Sequence, residues 1–240
     1  MFDLHGKVAL LIGHEGNLGP IWKETLENAG AKVWTWGLPQ VDFIKMKSED
    51  FYLDPEVYYD QPDIFPDIIV CNAAIDLSPS MKSVRFMTDF EQIIQVNLTV
   101  HACIIDSFVS RMISKWRRTS SNSVIVLIGS IQGYVGADWR NYDGGFEKPV
   151  AYNCSKAALQ QLARSITVQY GRYGIRAVCP GFGPVETPKL SQEFRDKISP
   201  KIPMGRFVSK RSLQQTLLYA CCCEDLAGED WLVDGGYTKW

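Results

Sequence analysis

The segment Lys7-Val-Ala-Leu-Leu-Ile-Gly-His-Glu-Gly-Asn-Leu-Gly19 decides the fold of this chain. Its first six residues are mostly apolar, which is typical of a short strand buried inside a parallel sheet. Three glycines follow at Gly13, Gly16 and Gly19, and apolar residues then recur with helical spacing over residues 18–29. A strand that enters a helix through a glycine-rich turn can bind a dinucleotide pyrophosphate, because backbone N–H groups and the helix N-terminus meet there.

The rest of the chain repeats the alternation of strand and helix. Further strands are predicted at residues 31–36, 67–71, 123–128, 175–178 and 231–234, and further helices at residues 90–112, 151–170 and 213–223. Such alternation indicates an α/β fold, with helices covering both faces of a parallel sheet. We therefore predict a single domain over residues 1–240, a Rossmann-like, doubly wound parallel sheet. Residues 37–66 are rich in proline and aromatic residues, so we expect irregular crossovers there.

Composition excludes several classes of protein. The 240 residues are 46% hydrophobic and 22% charged, and the formal net charge is -2. Nothing in this balance favours nucleic acid or an anionic membrane as a partner. The beginning of the chain lacks the pattern of a signal peptide, and we expect no membrane helix. The seven cysteines are an odd number without a Cys-x-x-Cys pair, so we expect free thiols, a cytoplasmic protein and no metal site.

A second group of residues has the chemistry of proton transfer. Tyr152 and Lys156 are four residues apart and therefore lie on one face of the predicted helix. A neighbouring ammonium group lowers the pKa of a phenol, which then exchanges a proton with an alcohol or carbonyl near neutral pH. Ser130 follows a predicted strand, where its hydroxyl would polarise the same oxygen. Asn97 lies inside the long helix, and its alternative interpretation is a polar residue on a solvated face.

Taken in order, these motifs resemble the short-chain dehydrogenase/reductase family over essentially the whole chain. Asn97, Ser130, Tyr152 and Lys156 fall at the four catalytic positions of that family. The resemblance implies that the following residues bind the cofactor: Gly13, Gly16, Asn17, Leu18, Gly19, Asn72, Ala73, Ala74, Tyr152, Lys156, Val185 and Thr187. Asp234-Gly235-Gly236 resembles the C-terminal signature of the family.

The resemblance also implies a role for each catalytic residue. Tyr152 would be the general acid/base, Lys156 would lower its pKa and hold the nicotinamide ribose, Ser130 would polarise the substrate oxygen, and Asn97 would hold a water. Hydride would pass between the substrate carbon and NAD or NADP.

The choice between the two cofactors stays open, because Gly37 stands where an acidic or basic discriminator is usual. Asp54 is a further candidate on the adenine side, and an exposed turn before Pro55 is the alternative interpretation of this residue. Asn17, Ala74 and Phe182 depart from the family pattern, and these departures bear on cofactor affinity.

Ser130 and Tyr152 are separated by an additional segment, residues 136–149. It contains Trp139, Arg140 and Tyr142, which we predict to contact a polar substrate. Similar segments occur in family members that act in bacterial surface-sugar pathways. An oligomer contact or a structural lid is the alternative interpretation of this segment.

Three functions remain open at this point. The first is an oxidoreductase that interconverts an alcohol and a carbonyl on a small molecule, with a sugar or nucleotide sugar as the candidate substrate. The second is a 3-oxoacyl thioester reductase, and the third is a non-catalytic nucleotide-binding protein on the same fold. Because the family mostly forms symmetric dimers or tetramers through its two long helices, we also expect a homodimer or homotetramer.

Overall fold

The computed structural model describes residues 2–37, 65–76, 86–141, 148–187 and 190–240, without the side chains of residues 86–88 and 139. The strands are β1 Val8–Ile12, β2 Lys32–Trp36, β3 Ile68–Cys71, β4 Ser123–Leu127, β5 Gly129–Ser130, β6 Ile175–Phe182 and β7 Asp230–Val233. The helices are α1 Gly19–Asn28, α2 Phe86–Ile94, α3 Val100–Thr119, α4 Val150–Tyr170, α5 Gln192–Ile198 and α6 Lys210–Cys222. Asp54, Tyr142 and most of the proposed irregular crossover lie outside the described residues.

The described strands form one parallel sheet, as predicted. Its order is β2-β1-β3-β4-β6, with β5 and β7 also pairing with β6. β1 lies between β2 and β3, so the chain leaves β1 in one direction and continues on the other side. This reversal is a topological switch point, and ligands of doubly wound sheets bind at the carboxyl ends of the strands beside it.

Two apolar layers bury the two faces of the sheet. On one face, α3 and α4 pack through Phe108, Met112 and Leu159 against every second strand residue. On the other face, α1 and α6 pack through Trp22 and Leu213. Because neighbouring strand residues point to opposite faces, the continuous apolar runs of the sequence serve both layers.

The predicted helix at residues 90–112 is longer than the sequence indicated. It runs from α2 through a π-helical turn at Gln95–Thr99 into α3. It ends at Ser120, whose left-handed conformation lets its N–H donate to the Trp116 carbonyl. Its part at Asp89–Thr119 is long and apolar enough to cross a membrane by length and composition alone, but half of the most apolar stretch is buried inside the protein. We therefore assign it to the core.

Two predicted strand boundaries were wrong. The strand at residues 123–128 breaks at Ile128, whose carbonyl accepts a hydrogen bond from the Lys156 ammonium group at 2.8 Å. β5 then continues β4 in the same register against β6. β6 extends four residues beyond its predicted end at Val178, because its second half pairs with β7. The sequence did not predict this extension, because proline and glycine, here Pro180 and Gly181, are unusual inside strands.

Candidate active site

The glycine-rich loop after β1 is shaped by close contact with the end of β3. Gly13 has a φ of +78°, and a Cβ on it would lie 2.5 Å from the Cα of Ala73. Gly19 is equally confined, because a Cβ there would overlap the carbonyl group of His14. Glycine is therefore required at both positions, and the predicted loop brings its backbone to the switch point between β1 and β3.

This loop fits the pyrophosphate of a dinucleotide. The first turn of α1 contains no acidic residue, and the N–H groups of Gly19, Ile21 and Trp22 donate to the carbonyls of Gly16 and Leu18. The positive end of the helix dipole therefore favours the phosphate charge at this position. Asn17 replaces a glycine that is frequent in the family, yet it does not adopt a positive φ. The described backbone therefore accommodates the asparagine without strain.

Asn72, which we predicted to bind the cofactor, acts on the loop itself. Its side-chain oxygen accepts from the indole N–H of Trp22 at 2.8 Å, and its amide donates to the Gly13 carbonyl at 2.7 Å. His101, which the sequence analysis missed, donates from Nε2 to the Ala73 carbonyl at 2.8 Å. Burial lowers the pKa of His101 to about 4, so the imidazole is neutral and can make this bond at neutral pH. Both side chains hold the backbone against which a cofactor would lie.

Ser130 is brought to α4 by a glycine that the sequence analysis also missed. After β5 the chain makes a short helical turn at Ile131–Gly133, and the Ser130 hydroxyl accepts the Gln132 N–H at 3.2 Å. A Cβ on Gly133 would lie 2.9 Å from the Lys156 carbonyl oxygen. The turn thus packs directly on the helix backbone, and the strand end that carries Ser130 also contacts α4.

Lys156 is a buried cation beneath the ring of Tyr152. The residue is 4% exposed, and its ammonium group lies 5.6 Å from the centroid of the Tyr152 ring. Desolvation by burial lowers the pKa of Lys156 to about 8. The spacing of four residues therefore places both groups as predicted, with the ammonium close enough to favour a phenolate.

Asn97 lies inside the π-helical turn and is fully buried, so the alternative of a solvated face is wrong. Its side-chain oxygen accepts the Ile75 N–H at 2.8 Å, and its amide donates to the Ile75 carbonyl at 3.0 Å and to the Ser155 hydroxyl at 3.2 Å. Ser155 in turn donates to the Tyr152 carbonyl at 2.7 Å. π turns are rare overall but are frequent at functional sites, and this one connects the loop after β3 with α4.

A second lysine lies at the Tyr152 ring. The Lys148 ammonium group is 4.4 Å from the ring centroid and forms an ion pair with Asp76, in the loop after β3. The side chain of Lys148 is 14% exposed, whereas that of Asp76 is 42% exposed. The phenol therefore has one cation below it and a polar ion pair beside it. The sequence analysis missed Lys148, and its position four residues before Tyr152 is the signal that could have indicated it.

Comparison with known proteins identifies the family. Residues 65–238 match the family model described as enoyl-(acyl carrier protein) reductase, which covers more than half of the chain. The chain belongs to the short-chain dehydrogenase/reductase family. It is an NAD(P)-dependent oxidoreductase, as predicted. The non-catalytic alternative is therefore set aside.

Similar proteins differ in what their names say they act on. A 3-oxoacyl-(acyl-carrier-protein) reductase of Aquifex aeolicus is 27% identical over 97% of this chain and 98% of its own length. A short-chain dehydrogenase of Leptospira borgpetersenii, solved with NAD+, has a TM-score of 0.81 and 23% identity over 98% of this chain and 94% of its own. A gluconate 5-dehydrogenase of Burkholderia cenocepacia, solved with NADP and tartrate, has a TM-score of 0.79 and 19% identity over 100% of this chain and 98% of its own. The two solved structures support the fold.

Other predicted contacts of this short-chain dehydrogenase/reductase lie on the segment after β6. Val185 pairs with Val208 in an isolated bridge, and the Thr187 carbonyl accepts from the Arg195 guanidinium at 3.0 Å. Arg195 also pairs with Glu186 at 2.6 Å. One arginine thus holds the segment that we predict to contact the nicotinamide.

The additional segment of residues 136–149 is described only at its two ends. Arg140 is exposed and pairs with Asp138, and Trp139 begins a short helical turn, Trp139–Asn141. Tyr142 lies outside the described residues. At the far end of the segment, the described residue Lys148 contacts the ring of Tyr152.

Proposed function

We propose that this oxidoreductase interconverts a secondary alcohol and a ketone on a polyhydroxylated, sugar-like small molecule, either free or linked to a nucleotide. One observation carries the substrate class. The Asp76–Lys148 ion pair lies at the face of the Tyr152 ring, so the reacting carbon approaches past charged groups. A polar rim of this kind favours a substrate with hydroxyl groups, because charged groups that face an acyl chain would lose their hydration without gaining a partner.

In the proposed mechanism Tyr152 gives a proton to the carbonyl oxygen during reduction and takes it back during oxidation. The Ser130 hydroxyl already accepts from a backbone N–H, which leaves its own proton to donate to the substrate oxygen. When bound, the nicotinamide supplies or accepts the hydride. Lys156 stabilises the phenolate form of Tyr152 through its charge.

The hydrogen bonds of the Asn97 side chain determine how it can bind a water. Both hydrogens of its side-chain amide are engaged, by the Ile75 carbonyl and by Ser155. A water bound at Asn97 must therefore donate to it, since the side chain has no further hydrogen to give. We propose that such a water connects Lys156 with solvent, while the side chain keeps the loop after β3 in place.

The described cofactor residues recognise what NAD and NADP have in common. Gly13, Gly19 and the N-terminus of α1 would face the pyrophosphate, and Lys156 would lie beside the nicotinamide ribose. Asp54, the candidate on the adenine side, lies outside the described residues. We therefore propose NAD or NADP as the cofactor without choosing between them.

Reduction of a 3-oxoacyl thioester is the second candidate function. The description of the family model and the name of the Aquifex aeolicus relative favour it. It predicts an apolar path for the acyl chain beside Tyr152, whereas the sugar-like substrate predicts the polar path that the ion pair provides.

One experiment separates the two candidates. Binding of NADH and NADPH is measured first by fluorescence, and the preferred cofactor is then oxidised with 5-ketogluconate, L-xylulose or a 3-oxoacyl thioester. We expect turnover of at least one keto sugar and a kcat/KM for the thioester at least about tenfold lower. A preference for the thioester would refute the sugar-like substrate, and failure to bind either cofactor would refute the function altogether.

We also propose that the protein is a cytoplasmic homodimer or homotetramer. All seven cysteines are free, which suits a reducing compartment. Val168, on the outer face of α4, is 87% exposed, and an oligomer built through α3 and α4 would cover it. Light scattering that shows a monomer at micromolar concentration would refute the assembly.

A further inference from the structure

Outside the proposed catalytic centre the described residues form a basic cleft. A cleft of about 770 Å³ opens between residues 135–141, the helical turn Ser199–Lys201 and the end of the chain. We propose that this basic cleft binds a carboxylate or phosphate group of the substrate, so that the enzyme acts on acidic sugar derivatives. This inference rests on the proposed function, because it adds a charge to the sugar-like substrate.

The charge of the cleft favours an anion. Arg140, Lys197 and Lys201 line it, and Asp138 is the acidic side chain among its described lining residues. The lining side chains thus have a surplus of two positive charges in a protein whose formal net charge is -2. A concave surface with one sign of charge concentrates ligands of the opposite sign.

Asp138 fixes two of these cations in position. It accepts from Arg140 Nε and Nη2 at 2.8 and 3.2 Å, and from the Lys201 ammonium group at 3.0 Å. These hydrogen bonds, that from Arg140 above all, hold the pKa of Asp138 far below its ordinary value, so it stays charged. Arg140 still has its Nη1 hydrogens, which suit a carboxylate or phosphate oxygen. Preorganised donors reduce the entropy that a ligand loses on binding.

The same cleft has groups for the hydroxyls and carbon skeleton of a sugar. The buried Asn141 accepts from Lys201 and donates to the Tyr237 hydroxyl at 2.8 Å. The hydroxyl proton of Tyr237 remains to be donated to a ligand. Trp240 is 83% exposed, yet its indole N–H donates to the Lys201 carbonyl at 2.6 Å, so a large apolar ring is held beside the cations.

The cleft lies near the proposed catalytic serine, at the same edge of the sheet. Val135 lines it, and the chain reaches Val135 five residues after Ser130. Five residues span at most about 17 Å even when fully extended. The helical turn at Ile131–Gly133 shortens this distance further. Val135 and Tyr237 follow the carboxyl ends of β5 and β7, which both run parallel to β6, so the cleft lies at the sheet edge that carries Ser130.

A binding experiment tests the cleft without requiring turnover. The Trp240 indole resonance is assigned in 15N-labelled protein from the Trp240→Phe variant, and NADH-saturated enzyme is titrated with gluconate, sorbitol 6-phosphate and neutral sorbitol. We expect the resonance to shift with one or both anions and not with sorbitol. The arms also distinguish a carboxylate from a phosphate. An equal response to sorbitol, or no response to either anion, would overturn the proposal.

Matched variants locate the effect. Arg140→Gln/Lys201→Gln should raise the Kd of the responding anion at least about tenfold, as expected for the loss of charge-assisted hydrogen bonds. Arg164→Gln/Lys210→Gln is the control, since these cations also pair with carboxylates but lie outside the cleft. The control should change the Kd less than about twofold, and equal effects of the two double variants would contradict the proposed site.

Measurements of turnover test the basic cleft and the proposed function separately. In the Arg140→Gln/Lys201→Gln variant, kcat/KM should fall at least about tenfold for 5-ketogluconate and less than about twofold for L-xylulose. Charge-selective binding without turnover of any keto sugar would contradict the proposed function and leave the cleft intact. Turnover of both keto sugars without charge-selective binding would contradict the cleft alone.

Discussion

The Lys148 ammonium group lies 4.4 Å from the centroid of the Tyr152 ring, and its partner Asp76 comes from a different part of the sheet. Lys156 also lies against the Tyr152 ring. The neutral His101 and the thiols of Cys71 and Cys179 lie near Lys156 in the protein interior. A cation at the face of a phenol stabilises the phenolate more than the neutral ring, since the negative charge spreads into the ring. Lys148 thus lies against Tyr152, the proposed proton-transfer residue, without being part of the family motif.

Two variants of the Asp76–Lys148 ion pair should shift the apparent pKa of Tyr152 in opposite directions. In Lys148→Met the cation is lost and Asp76 remains, so the apparent pKa of Tyr152 should rise by about half a unit to one unit. This pKa is measured from kcat/KM for alcohol oxidation, in which the phenolate accepts the proton and activity rises with pH. In Asp76→Asn the cation is no longer compensated, so the same pKa should fall. Loss of activity in both variants with unchanged pH profiles would show that the ion pair is only structural.

Tyr152→Phe should abolish turnover and preserve the fold and cofactor binding. The proton donor is lost while the ring stays in place, so kcat should fall by at least about 100-fold. Tyr173→Phe is the matched control, because this tyrosine packs against Trp116 away from the site and should retain full activity. Circular dichroism and NADH titration accompany the kinetics. Residual turnover of more than a few per cent would rule out Tyr152 as the general acid/base.

Lys156→Met should inactivate the enzyme and stabilise it. Burial lowers the pKa of Lys156 from 10.5 to about 8, so the folded state binds this proton less well than the unfolded chain does. The destabilisation is therefore complete below about pH 8 and disappears as the pH rises towards 10.5. After allowing for the lost hydrogen bond to Ile128, we expect an increase of about 1–2 kcal/mol in the free energy of unfolding at pH 7.

Urea denaturation of wild type and Lys156→Met at pH 6, 7, 8 and 9.5 measures this effect. The difference between the two proteins should be constant up to pH 7 and should shrink at pH 9.5. A variant that is less stable than wild type at pH 7 would show that the ammonium group contributes more through its hydrogen bond than it costs through burial.

Gly133→Ala should reduce activity because it displaces the turn that follows Ser130. Its Cβ would meet the Lys156 carbonyl at 2.9 Å, so the turn and α4 must move apart by a few tenths of an ångström. Small displacements of reacting groups are costly, and we expect kcat to fall about 10- to 100-fold. Gly171→Ala is the control at the far end of α4, where a Cβ meets nothing within 4 Å. Equal activity of the two variants would contradict a positioning role for Gly133.

The alternation of apolar runs and helical spacing was enough to predict the architecture. Every predicted strand and helix exists, because burial of strand residues on both faces and of one helix face leaves a local pattern in the sequence. Boundaries were less predictable. The break at Ile128 depends on a hydrogen bond from Lys156, which is distant in sequence.

By itself the sequence determined the parallel sheet, the glycine-rich loop and the order of Ser130, Tyr152 and Lys156, since each of these is a local pattern of residue type and spacing. The tertiary structure alone decided that Asn97 is buried in a π turn and that Asp76 and Lys148 meet beside Tyr152. It also decided that Asp138 and Lys201 meet in the basic cleft. These relationships join residues 22 to 72 positions apart, which only the packing of the sheet and its helices brings together.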